Sequence, residues 1–268
     1  MRRSTAIFLV LMAAACGGRQ NFNDAEFPAR SVSVGGKVYN YRIYIPRNRD
    51  TSVPVPVMLY LHGSGARGND NYSQLDDLPS FIREHPERFP FVIVLPQCEA
   101  DTFWAGPMME QAIAALDRTV IEFKGDPNRL YLAGYSMGGF GVWQTAVTYP
   151  NKFAALVPIA GGIKPQGPVS DDQKELLSPA VRKAAESDDP YKAFAAAIGK
   201  TPVWAFHGGA DGVVSPEGTR QMIAALKANG DPNVVYTEFE NVGHESLINT
   251  FSEPGLFEWM GRQELTTQ

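Results

Sequence analysis

Cysteine is nearly missing from this 268-residue chain: Cys16 and Cys98 are the only two. If Cys16 lies in a processed leader or carries a modification, no internal disulfide can form, and the fold rests on its core rather than on staples. No apolar run approaches the roughly 20 residues that a membrane-spanning helix needs; the run from Ala6 to Ala15 has ten. Basic clusters are missing too. With 24 Lys and Arg against 29 Asp and Glu, the formal charge is −5, which offers nucleic acid no electrostatic footprint. No internal repeat divides the chain. Histidine is scarce, at four residues, so the search for a general base is short.

Arg2 and Arg3 precede the short apolar run and small residues close it, the pattern of a secretory signal over residues 1–15. Export is therefore expected. Cys16 is then either an ordinary cysteine beyond a cleavage site or the first mature residue. The small-small-Cys ending resembles the bacterial lipobox, which implies a lipid on Cys16 and a tether over 16–29 containing the polar stretch "GGRQNFNDAEFP". Membrane attachment would then run only through that lipid, in the periplasm or at the cell surface; without it the protein is secreted.

Residues 31–46 alternate apolar and polar around Gly35-Gly36, which predicts an antiparallel hairpin. Later apolar runs at 55–63, 91–97, 129–136, 153–162, 201–209 and 234–240 lose the alternation, as strands buried on both faces do. Helical patterns at 108–123, 138–149, 215–229 and 254–263 lie between them, with Ser215 placed to cap the third. The expected architecture is a mostly parallel, doubly wound α/β sheet with an N-terminal antiparallel edge hairpin. One domain is expected over 30–268, with a small insertion, a partial cover, at about 163–200.

The stretch "GYSMG" at 134–138 joins an expected strand directly to an expected helix. Turning within one residue strains the backbone at Ser136, and the crowding leaves room only for glycine at 134 and 138. Such a turn lifts a hydroxyl above the sheet edge at a helix amino terminus, where N–H groups face a developing negative oxygen. Ser136 is thus the candidate nucleophile.

His85 sits in the polar "REHPERFP", and His62 and His207 each end a buried strand as "HG", where a ring shaping the turn is the simpler reading. His244 follows a glycine in a late loop after the last strand, the place for a base in the order Ser, acid, His. Asp211, on the loop leaving "TPVWAFHGG", is the candidate acid; Asp188, Asp189, Asp231 and Glu238 fall in polar loops or within a strand. The oxyanion donors expected are the backbone N–H groups of Met137 and of Ser64 in "HGSG". Cys98 reads as a small buried hydrophobe and Trp143 as core.

Taken together, "LHGSGARGNDN", "VLPQC", "DPNRLYLAGYSMGGFGVW", "WAFHGGAD" and the late "GH" resemble the α/β-hydrolase superfamily, over residues 30–263. The likeness is to its esterase branch around feruloyl-esterase-like, polyhydroxybutyrate-depolymerase-like and "predicted peptidase" proteins. The resemblance implies Ser136, Asp211 and His244 as the triad and Met137 and Ser64 as oxyanion donors. Trp104 resembles an aromatic beside the substrate cleft of related esterases, and a partly buried core tryptophan is the other reading. The function implied is an exported serine carboxylesterase without metal or organic cofactor. Its substrates would be small-molecule or polysaccharide-linked esters, such as feruloyl or acetyl groups, or a polyester. Peptide hydrolysis by the same residues, or a non-catalytic binding lipoprotein, are the alternatives.

Overall fold

Gly35 and Gly36 have φ of 57° and 80°, and positive φ at both central residues is what a two-residue primed turn demands. They join β1 (Ala29–Val34) to β2 (Lys37–Tyr44) as the expected hairpin. The structure is a computed structural model that describes residues 25–47, 49–75, 78–164 and 170–265. The expected signal segment, Cys16 and most of the tether lie outside the described residues. Phe27, within the expected tether, is buried against Tyr44, so the packed body starts just before residue 30.

The chain continues through β3 (Val55–Leu61), α1 (Leu78–Glu84), β4 (Val92–Pro96), α2 (Pro107–Glu122), β5 (Gly125–Tyr135), α3 (Met137–Thr148) and β6 (Ala155–Ile159). Next come three short helices, α4 (Asp171–Glu175), α5 (Pro179–Ala185) and α6 (Pro190–Ile198). The remainder is β7 (Val203–Gly208), α7 (Glu217–Ala228), β8 (Val234–Phe239), α8 (Leu247–Ser252) and α9 (Leu256–Gly261). One sheet orders its strands β1-β2-β4-β3-β5-β6-β7-β8, antiparallel where β2 meets β1 and β4 and parallel elsewhere. The doubly wound sheet with an antiparallel edge is the architecture expected.

Pleating divides each buried strand between two cores. β3 sends Val57, Leu59 and Leu61 into the layer under α2, α3, α6 and α7, and Met58 and Tyr60 into the layer under α1, α8 and α9. Each such side chain contributes roughly 1.5–3 kcal/mol by leaving water. From β3 the chain steps to β4 on one side, while β5 lies on the other and leads on to β6. Where connections diverge in this way a crevice opens beyond the carboxyl ends of the strands; the turn after β3 and the turn after β5 both face it.

Three local differences from the sequence reading have physical causes. Helix α1 was not expected; it forms by burying Leu78, Phe81 and Ile82. Helix α7 starts at Glu217, later than the Ser215 cap implied, with the Ser215 hydroxyl accepting from Glu217 N–H at 3.3 Å. Within 163–200, α6 buries Phe194, Ala195 and Ile198 in the main core. It is the crossover helix that any parallel β6-to-β7 step needs. The added part is α4 and α5, each capped from within: Ser170 and Gln173 form a capping box, and the Ser178 hydroxyl accepts from Val181 N–H.

The contact of α3 on the sheet is the tightest in the fold. A Cβ added to Gly138 would lie 1.8 Å from the Leu61 carbonyl oxygen, and one on Gly134 2.4 Å from the Gly138 carbonyl oxygen. Backbone on both sides cannot give way. Gly138→Ala should therefore destabilise the protein by about 3 kcal/mol or more. Gly261→Ala, where no atom lies within 4 Å of an added Cβ, should stay within about 0.5 kcal/mol. Urea unfolding of both variants checks the contrast.

Candidate active site

Ser136 is the single residue between β5 and α3, at φ 54° and ψ −116°. A side-chain-bearing residue pays strain there, and two bonds hold it: its N–H donates to Ile159 O at 2.9 Å, and Phe140 N–H donates to its carbonyl at 3.1 Å. The hydroxyl sits at the amino end of α3. His244, in the loop between β8 and α8, brings Nε2 to 2.8 Å from Ser136 Oγ and Nδ1 to 2.7 Å from Asp211 Oδ2. An ionised carboxylate only accepts, so Nδ1 carries the proton and Nε2 offers its lone pair to the serine hydroxyl.

Asp211 lies in the loop after β7. Its Oδ1 accepts from Val213 and Val214 N–H, both at 2.8 Å. Burial alone would raise its carboxyl, but the hydrogen bonds from His244 and the two backbone N–H groups outweigh that and hold it below the ordinary carboxylate value. The group is therefore ionised at neutral pH. The sequence rivals are engaged elsewhere or exposed: Asp189 caps α6, Asp231 accepts from Asn233 N–H, Glu238 is paired with Arg220, and Asp188 is exposed.

The turn after β3 abuts the serine, since a Cβ on Gly63 would lie 3.6 Å from Ser136 Cβ. Ser64 and Met137 both line the cavity that contains Ser136. Among the described residues neither backbone N–H donates to a backbone acceptor outside its own helix. His62 fixes this turn: Nδ1–H donates to Gly63 O at 2.6 Å, and Nε2 accepts from Cys98 N–H at 2.9 Å. Burial pushes the His62 ring down to about 4, so it stays neutral and structural. His85 is half-buried beside Phe81.

Trp104 is more deeply buried than a partly buried core tryptophan would be. It is buried, donates from Nε1 to His62 O at 3.0 Å, and lines the cavity. That cavity is about 850 Å³. Its apolar walls come from Trp104, Phe140 and Ile163 below, and from Leu177 and Val181 of the α4–α5 segment above. Gln144, two turns along α3, also lines it, and its Oε1 has no hydrogen-bond partner among the described residues.

Sequence reasoning missed Tyr135, whose hydroxyl donates to the His244 carbonyl at 3.1 Å and whose ring lies 5.3 Å from the imidazole. It also missed that His207 touches Asp211. The first was visible as the variable residue of G-x-S-x-G, the second as a histidine four positions before the acid. Trp143 is in the core as read. Among the described residues no group of three His, Cys, Asp or Glu side chains is placed to hold a metal ion.

Residues 100–255 match the model of the prolyl oligopeptidase family, which is more than half of the chain. The chain belongs to that family. Feruloyl esterase B of Thermothelomyces thermophilus is 26% identical over 304 aligned positions, covering 97% of this chain and 98% of that protein. Poly(3-hydroxyalkanoate) depolymerase C of Paucimonas lemoignei is 33% identical over 103 positions, which are 37% of this chain and 24% of the depolymerase. Among solved structures, a thermostable esterase superposes with a TM-score of 0.67 at 26% identity, covering 90% of this chain and 64% of that one. This prolyl oligopeptidase family member is a serine hydrolase of the α/β-hydrolase superfamily.

Burial pushes the Cys98 thiol up to about 11, and its Sγ lies 3.1 Å from Thr102 Oγ1. A buried, protonated thiol is inert. Iodoacetamide should leave the Cys98 peptide unmodified in the native protein and alkylate it fully in urea, as read by peptide mass; rapid native labelling would contradict the burial.

Proposed function

We propose that this protein is an exported serine carboxylesterase in which Ser136 is the nucleophile, His244 the base and Asp211 the acid. The observation that carries the reading is the unbroken line of contacts from Asp211 Oδ2 through His244 to Ser136 Oγ, at 2.7 and 2.8 Å. Ser136 Oγ attacks the ester carbonyl as His244 Nε2 takes its proton. The carbonyl oxygen, now negative, lies against the N–H groups of Met137 and Ser64. His244 then protonates the departing alcohol, leaving an acyl-enzyme on Ser136. Water, deprotonated by His244, attacks that acyl carbon, and the acid leaves as Ser136 regains its proton.

The cavity supports an acyl group larger than acetyl. Trp104 and Phe140 offer flat apolar surface, which suits an aromatic acyl group. Esters of aromatic acids on carbohydrate fit these walls, in keeping with the likeness to a feruloyl esterase. Peptide hydrolysis is the second reading, favoured by the family's name, and the same three side chains serve it. Export through residues 1–15, with a lipid on Cys16, completes the proposal.

Hydrolysis of p-nitrophenyl acetate, methyl ferulate, acetylated xylan and peptide p-nitroanilides tests it. Ser136→Ala should abolish esterase turnover, by about 10⁶-fold in kcat, and Asp211→Asn should cost about 10⁴-fold. Undiminished turnover by Ser136→Ala would place the chemistry elsewhere, and faster cleavage of the anilides than of the esters would favour the peptidase.

A further inference from the structure

His207 ends β7 with its ring fully buried, and the reading above gives it no part. Its Nε2 lies 3.2 Å from Asp211 Oδ2 and 3.0 Å from the Val214 carbonyl oxygen. Both neighbours only accept, so Nε2 bears a proton, which donates to Val214 O and lies against Asp211 Oδ2. Nδ1 lies 2.8 Å from Thr219 Oγ1, and that hydroxyl also reaches Gly161 O at 2.8 Å, so its one proton serves one of the two at a time.

We propose that His207 is a positioning residue for the triad, a second imidazole whose Nε2–H holds Asp211 Oδ2 and sets how strongly that carboxylate acts on His244. The inference rests on the catalytic reading of Asp211 given above. With it, three N–H groups hydrogen-bond the carboxylate, Val213 and Val214 on Oδ1 and His244 on Oδ2, and His207 Nε2 adds a polar contact to Oδ2 at 3.2 Å. An ionised carboxylate has about four acceptor sites, and the His207 contact covers the last of them. Removing it leaves Oδ2 with His244 alone and concentrates the carboxylate's charge on the His244 proton. A more basic His244 is the consequence.

The surroundings keep His207 itself out of the proton traffic. Burial drives its ring below the ordinary histidine value, against the opposing pull of Val214 O and Asp211. The charged groups facing it are Asp211 and His244 from the loops and Glu238 from β8, and Glu238 is held by Arg220 of α7 and by the Tyr236 hydroxyl. Its ring remains a neutral donor while His244 cycles through its charged form. On its far side, Thr219 links it to Gly161, and a Cβ on Gly161 would lie 2.4 Å from the Gly139 carbonyl carbon of α3. The line from Asp211 through His207 therefore ends on the helix that carries the nucleophile.

The test compares His207→Leu, which fills the space without a donor, with His207→Gln, whose amide nitrogen reaches the place of Nε2. In His207→Leu, kcat should fall about 10-fold with KM little changed, and the acid limb of kcat/KM should move to higher pH. In His207→Gln, both should return towards wild type. A purely structural role would lower the thermal midpoint of both variants and leave the acid limb in place, which overturns the inference, as would equal behaviour of the two. A measurement on the wild-type protein stands apart from any folding defect. Imidazole ¹⁵N shifts, with the His207 signals assigned by their loss in His207→Gln, should show that ring protonated at Nε2 alone and unchanged across the active pH range, and a His207 ring protonated only at Nδ1 would overturn the proposal. Ser136→Ala run beside them separates the failures: turnover retained there ends the catalytic reading itself, whereas turnover lost there with a wild-type His207→Leu ends only this inference.

Discussion

Helix α3 lies so close on β3 and β5 that only hydrogen fits between Gly138 and the Leu61 carbonyl. Everything at the site follows from that approach. A helix so near its strand has no length for a loop, so the chain turns on Ser136 alone, and the strained φ of 54° is the result. The same closeness brings the turn after β3 against the serine, which places two backbone N–H groups beside one hydroxyl. Strain at one residue is held by the burial of two cores, one on each face of the sheet.

The histidine and the acid reach the serine from the far half of the sheet, where β7 and β8 run parallel to β5 and end at the same edge. Because parallel strands point all their carboxyl ends one way, loops distant in the chain become neighbours without special folding. What these loops need is stiffness. The Asp211 loop obtains it from its own backbone N–H groups closing on Oδ1, and the His244 loop from the Tyr135 hydroxyl on its carbonyl.

Much of this was legible in the chain. Continuous apolar runs marked β3 to β8, glycines at 134 and 138 marked the elbow, and a histidine after a late glycine stood apart from its three fellows. What stayed hidden depends on contacts across the fold. Whether 163–200 was insertion or scaffold turned on Phe194 meeting α3 and α7, which no local pattern carries. Helix α1 is short and earns its place by burying Phe81 and Ile82. His207 read as a turn-shaping residue because its partner Thr219 is brought to it only by tertiary geometry, and Gln144 looked like any helical glutamine until the cavity beside it was seen.

The α4–α5 segment supplies its own helix caps, through Ser170 with Gln173 and through Ser178, and is anchored to the body by Val181 and Ala184 in the main core, with Leu176 beside Gly106 and Ser178 at 2.9 Å from Thr148. A roof that closes its own ends asks little of the walls beneath it. Leu177, half-buried over the cavity, can then be exchanged while the sheet, the elbow and the relay stay untouched, so that one engine can be refitted for different cargo by rewriting a single short stretch.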